Sequence, residues 1–162
     1  MQRSAGRFDL FDAWADHGNP RRARIARGQE VFNTKTSATG RTCNSCHNAV
    51  NVGTNVNNLL FDVRVASADV RAPDLPLYTF RNRATGETRQ LTDAGQGNIT
   101  GRWNDLGRFK TPTLRALSAR APYFHNGSAA TLEDVIGHYE QFLGFSFNPE
   151  ERADLVAFLK AL

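Results

Sequence analysis

Methionine is almost absent from this sequence: the single one is Met1. Cysteine is confined to Cys43 and Cys46, so a zinc site would have to be completed by scattered histidines. No segment approaches the ~20 apolar residues of a membrane-spanning helix. Residues 1–10 hold Arg3, Arg7 and Asp9 and no apolar run, so they are not a signal peptide. There is no internal repeat, no low-complexity segment, and no block of lysine and arginine of the kind that binds nucleic acid. Lys+Arg 20 against Asp+Glu 16 leaves a formal net charge of +4. That mild bias suits an acidic protein partner, or more simply a solubilising surface. A chain of 162 residues is one domain by length, large enough to bury a core around a cofactor.

What the sequence does contain is Cys43-Asn44-Ser45-Cys46-His47. A Cys-x-x-Cys-His run is a c-type haem attachment site: two thiols add across the porphyrin vinyl groups, and the adjacent histidine coordinates the iron. Two intervening residues set the sulfurs at the spacing of the vinyls. A bare Cys-x-x-Cys also fits half a zinc site or a thioredoxin-like redox pair, but neither explains His47. The reading is therefore one covalent haem c with His47 as proximal ligand, whose propionates would lower the net charge to about +2. Covalent attachment implies an exported bacterial or an intermembrane-space protein, and the periplasm is the expected setting. If so, the signal has been removed or the chain is a piece of something larger, and the second is the preferred expectation.

The pattern predicts an all-α c-type cytochrome domain over 20–162, preceded by a linker or N-terminal extension over 1–19. In that extension Phe8, Leu10, Phe11 and Trp14 form a short apolar cluster. Asn19-Pro20 opens a helix, with Asn as N-cap and Pro in the first helical position. Ile25, Gly28 and Phe32 share one face to about Asn33, and Arg21, Arg22, Arg24 and Arg27 are read as the solvated side or, alternatively, a docking face. Asn148-Pro149-Glu150-Glu151 opens the closing helix, whose buried stripe is Leu155, Val156, Phe158, Leu159 and Leu162. The two helices are predicted to cross at Gly28, which receives an aromatic such as Phe158. Between Asn48 and Lys110 the chain reads as long loops around the haem edge, with a β-hairpin pairing Tyr78–Phe80 with Thr88–Leu91. Thr131 N-caps a further helix in which Leu132, Val135, Ile136, Tyr139 and Leu143 follow at helical spacing. There Tyr139 lies within the apolar stripe and His138 about 100° away on its flank.

The occupant of the second axial position decides between electron transfer and catalysis. With Met1 the only methionine, His/Met ligation is excluded in practice. The residues leave open His17, His125, His138, Tyr78, Tyr123, Tyr139, a lysine, or nothing.

Two further runs carry a resemblance: Phe109-Lys110-Thr111-Pro112-Thr113-Leu114-Arg115, and Pro122-Tyr123-Phe124-His125-Asn126-Gly127. With Cys43 to His47 they resemble the bacterial di-haem cytochrome c peroxidase family, specifically its C-terminal haem domain, from about Arg24 to Leu162. The resemblance implies an electron-accepting haem whose second ligand lies fourteen residues after the histidine of the Pro-Tyr-Phe-His run, which here is Tyr139. Most of the family has methionine there. A related branch, including the di-haem enzyme that matures the tryptophan-derived quinone of methylamine dehydrogenase, is similar to this chain in having tyrosine. A phenolate favours ferric iron and lowers the potential.

By the same resemblance Phe109, Leu114, Trp103 and His125 are cofactor-contacting positions. Trp103 is a relay or a packing residue, and His125 orients a propionate, a water or the distal ligand. The family has two haems and reduces peroxide at the other one, whereas this chain has a single Cys-x-x-Cys-His. The family's interdomain calcium also draws on residues absent from this chain, which leaves calcium open. The expectation is an electron-transfer domain serving a redox protein partner, with an N-terminal haem domain as a further candidate partner. Alternatives are a peroxidase-type enzyme, in which His125 or Tyr139 acts as acid, base or gate, and a haem-based sensor of a diatomic ligand.

Overall fold

The structure is a computed structural model that describes residues 18–49 and 52–162. The apolar cluster of residues 8–14 and His17 lie outside the described residues. Helix α1 spans Pro20–Thr34, and the Asn19 side chain accepts from the amides of Arg21 at 3.0 Å and Arg22 at 3.3 Å. Pro20 has no N–H, and at this position none is needed. The last helix, α5, spans Pro149–Ala161. Its N-cap is reciprocal: Glu151 N donates to Asn148 Oδ1 at 2.8 Å, and the Glu151 carboxylate accepts from Asn148 N at 2.9 Å. Both starts are those the Asn-Pro dipeptides predict.

Helices α1 and α5 cross at Gly28, where a β-carbon would meet the Asp154 carbonyl oxygen and, at 2.8 Å, Phe158 Cβ. Only a glycine admits this approach. Phe32 packs on Phe158 with ring centroids 5.4 Å apart. With Ile25, Leu132, Ile136 and Leu155 these rings form the main core. Burying a side chain of this size contributes about 1.5–3 kcal/mol. One expectation needs correction here: the arginine face of α1 is only partly solvated. Arg27 donates twice to Asp154, at 2.6 and 3.1 Å, and Arg24 once at 3.2 Å. Asp154 is 3% exposed, and a carboxylate so buried requires such partners.

Helix α2 is the single turn Cys43–Cys46, and α3 is the single turn Gly97–Thr100. Helix α4 spans Leu132–Leu143, with a capping box between Thr131 and Asp134, and it ends at Gly144 in the left-handed region. Leu132 and Ile136 face α5. Arg152 of α5 reaches back to the Glu140 carboxylate and, at 2.7 Å, to the Glu133 carbonyl.

The expectation of an all-α chain holds for this core and not for the connecting segment, which contains two short antiparallel ribbons. Strand β1 (Leu60–Phe61) pairs with β4 (Phe109–Lys110), Phe61 opposite Phe109. Strands β2 (Tyr78–Arg81) and β3 (Thr88–Leu91) form the predicted hairpin, Tyr78 opposite Leu91. Leu91, Ala94 and Leu106 make a satellite core under the loops, with Phe80 and Trp103 against it. No helix among the described residues is long and apolar enough to cross a membrane.

Candidate haem site

Thr42 caps α2, its hydroxyl accepting from Ser45 N at 3.1 Å, which holds both cysteines on one short turn, with Cys43 packed against the main core. Cys43 and Cys46 are free thiols, each half-buried. Burial pushes the Cys43 thiol up to about 12, so it rests protonated.

His47 follows immediately. Its Nδ1 lies 2.5 Å from the Gly53 carbonyl oxygen. A carbonyl only accepts, so Nδ1 carries the proton and Nε2 keeps a free lone pair. Burial lowers the His47 pKa and favours this neutral form. A cavity of about 260 Å³ opens beside His47, walled by Phe32, Leu114, Phe158 and Leu162.

The loop that supplies the Gly53 carbonyl is fixed from two sides. Asn55, buried, donates to the Cys46 carbonyl at 3.2 Å and accepts from the amides of Asn57 and Leu59. From the other side, the Thr113 hydroxyl at 2.7 Å and the Leu114 amide at 3.0 Å both donate to the Val52 carbonyl. Gly53 has φ +67°, and a β-carbon there would lie 2.8 Å from Leu114 Cβ. The Thr-Pro-Thr-Leu run thus acts on the histidine through the loop that orients it. Gly53 went unnoticed in the sequence because a backbone carbonyl can come from any residue, and the role of Asn55 because its side chain bonds only backbone groups.

Tyr139, on α4, is the expected distal ligand. Burial first, and then Cys43 and Cys46, hold its phenol above the ordinary tyrosine range. Its ring meets Phe124 edge-on at 6.1 Å and His138 at 5.6 Å. On the flank of the apolar stripe, His138 has a partner of its own: its Nε2 is 2.7 Å from the Val63 carbonyl.

His125 stacks on Phe109 with centroids 4.2 Å apart, and its Nε2 lies 3.7 Å from Asp93 Oδ2. Desolvation lowers the His125 pKa against the opposing pull of Asp93. Leu114 lines the cavity beside His47, whereas Phe109, His125 and Trp103 are not among its lining residues. Trp103 packs on the satellite core.

The donor set fits a covalent haem. Two free thiols on one turn precede a histidine whose tautomer leaves Nε2 available, and apolar walls stand beside them. Fold and site together define a candidate c-type haem domain.

No family model matches the chain. Among curated proteins it is 31% identical over 153 residues to the cytochrome c551 peroxidase of Nitrosomonas europaea, a match covering 94% of this chain and 38% of that protein. It is likewise 31% identical over 146 residues to the cytochrome-c peroxidase IdrP2 of Denitromonas iodatirespirans, covering 83% of this chain and 38% of the relative. A shorter match, 39% over 84 residues, covers 36% of this chain and 24% of the methylamine utilization protein MauG of Methylorubrum extorquens. Among solved structures, a MauG-like protein associated with microbial copper homeostasis superposes with a TM-score of 0.61 at 25% identity, covering 96% of this chain and 47% of that one. The chain is a homologue of the di-haem cytochrome c peroxidases and MauG-like proteins, and it resembles their C-terminal haem domain. It spans less than half the length of these relatives.

Proposed function

We propose that this chain is a periplasmic haem c domain that transfers electrons, holding one haem through Cys43 and Cys46, with His47 as proximal and Tyr139 as distal ligand. The observation that carries the reading is the His47–Gly53 bond, which fixes the tautomer and leaves Nε2 for a metal. Bound here, the haem supplies a one-electron couple whose potential the surroundings tune.

The protein's part is positional and electrostatic. Gly53 holds the imidazole, and Thr113 and Leu114 hold the loop that carries Gly53. Phe32, Leu114 and Phe158 keep water from the proximal side. Tyr139 stands protonated in the bare chain, and the charge of a ferric ion would invert that preference. With a phenolate opposite His47 the oxidised state is favoured. The partner is a redox protein that exchanges electrons at the surface.

A second reading is favoured by the relatives, several of which are peroxidases of more than twice this length. In that reading the chain is the electron-accepting part of a larger peroxide-reducing protein.

The test is the ferric absorption and electron paramagnetic resonance spectrum of the haem-loaded chain beside that of Tyr139→Phe. The variant is expected to lose the phenolate signature and to bind exogenous ligands. An unchanged spectrum would show that Tyr139 does not ligate. Rapid turnover of hydrogen peroxide with a reduced donor by the chain alone would replace the carrier reading with an enzymatic one.

A further inference from the structure

His138 is a half-buried polar ring on the ligand-bearing helix with no role in the haem reading above. Its ring sits between Phe142 at 4.7 Å and Phe124 at 4.8 Å, and its Nε2 donates to the Val63 carbonyl at 2.7 Å. Val63 lies just beyond β1, in a stretch gripped a second time where Asn126 Nδ2 donates to the Val65 carbonyl at 2.8 Å. The opposite side of α4 is pinned differently. Leu132 and Ile136, 2% and 3% exposed, pack into the main core beside α5. His138 is two residues after Ile136, about 200° round the helix, so the two anchors lie on opposing faces, with Tyr139 next in sequence to the second.

We infer that His138 is a positioning residue: its bond to the Val63 carbonyl sets the rotation of α4 about its own axis and so aims Tyr139 at the site opposite His47. Apolar contacts at Leu132 and Ile136 resist a roll weakly, and the Arg152 bonds to Glu140 and the Glu133 carbonyl hold α4 only from the α5 side. A roll of about 20° carries an atom about 8 Å from the helix axis through on the order of 3 Å, far beyond the ~0.2 Å tolerance of a metal–ligand bond. A directional hydrogen bond to a carbonyl in a stretch that Asn126 also grips, two residues on, removes that freedom.

The inference rests on Tyr139 as distal ligand, and the experiment separates the two. Ferric spectra and the rate of cyanide binding are measured on the haem-loaded chain, on His138→Phe, which keeps a ring in the aromatic cleft without a donor, on His138→Gln, which keeps a donor, and on Tyr139→Phe. The expectation is a mixed spectrum and cyanide binding about tenfold faster for His138→Phe, the factor that loss of one hydrogen bond produces, with rate and spectrum restored in His138→Gln. His138→Leu replaces the phenylalanine variant if that one does not fold. If His138→Phe or His138→Leu matches the parent while Tyr139→Phe does not, the positioning role is wrong and the ligand assignment stands. If Tyr139→Phe also matches the parent, both fall.

Discussion

Gly53 shows how one residue without a side chain governs a metal-binding histidine. Its carbonyl fixes the His47 tautomer, its left-handed backbone suits glycine, and Leu114 fills the space a side chain would need. Gly53→Ala is therefore expected to strain the backbone and push on Leu114, costing about 1–3 kcal/mol and broadening the ferric spectrum as His47 loses a single orientation. Thermal melting and the absorption spectrum of the loaded variant check this, and a variant that matches the parent in both would deny the carbonyl its role. Cys43, Cys46 and His47 stand out in the sequence as side-chain types at a diagnostic spacing, and Tyr139 is singled out only through the family resemblance. The partners that orient them do not stand out: Gly53 and Val63 act through backbone carbonyls, which no composition or period reports. A helical wheel placed His138 beside the apolar stripe, but it carries no information on which loop covers that flank.

Helices were legible for a different reason, namely that their starts are written in local chemistry. Asn19-Pro20, Thr131 with Asp134, and Asn148-Pro149 with Glu151 all cap where the sequence predicts. The ribbon of β1 and β4 was not foreseen, because two-residue strands have no period and their partners lie far apart in the chain. The seam from Arg24 and Arg27 to Asp154 stayed hidden likewise, Arg27 and Asp154 being 127 residues apart.

Two predictions belong to this scale. Gly28→Ala drives a methyl group into the α5 backbone and is expected to cost about 3 kcal/mol, read as a lower urea midpoint; an unchanged midpoint would contradict the crossing. The caps give a pH dependence. Hydrogen bonds from Thr131 hold the Asp134 carboxyl below its ordinary range, and Lys35 with the Asn148 amide does the same for Glu151. A depressed pKa stabilises the fold above the unfolded value and ceases to do so as pH falls through the folded value. Melting temperature should thus hold from neutrality to about pH 5 and decline below about pH 4. In Asp134→Asn the decline should be shallower; an equally steep one would assign the acid loss elsewhere.

For the whole molecule, the expected stoichiometry is one haem per chain, because a single Cys-x-x-Cys-His is present. Pyridine haemochrome absorbance against protein concentration measures it, and a ratio near two would overturn the single-site reading. The crossing of α1 and α5 bears on how the chain reaches its fold. Joining residues 127 apart costs on the order of 4 kcal/mol of loop-closure entropy, and contacts so distant in sequence make for slow folding. As the chain grows from its N-terminus, Cys43 to His47 exists long before Pro149–Ala161, the helix that brings Phe158 against Phe32 and so backs the histidine. The attachment motif therefore stays open and solvated during assembly, when its thiols can react free of the burial that later raises Cys43, and the core closes over it last.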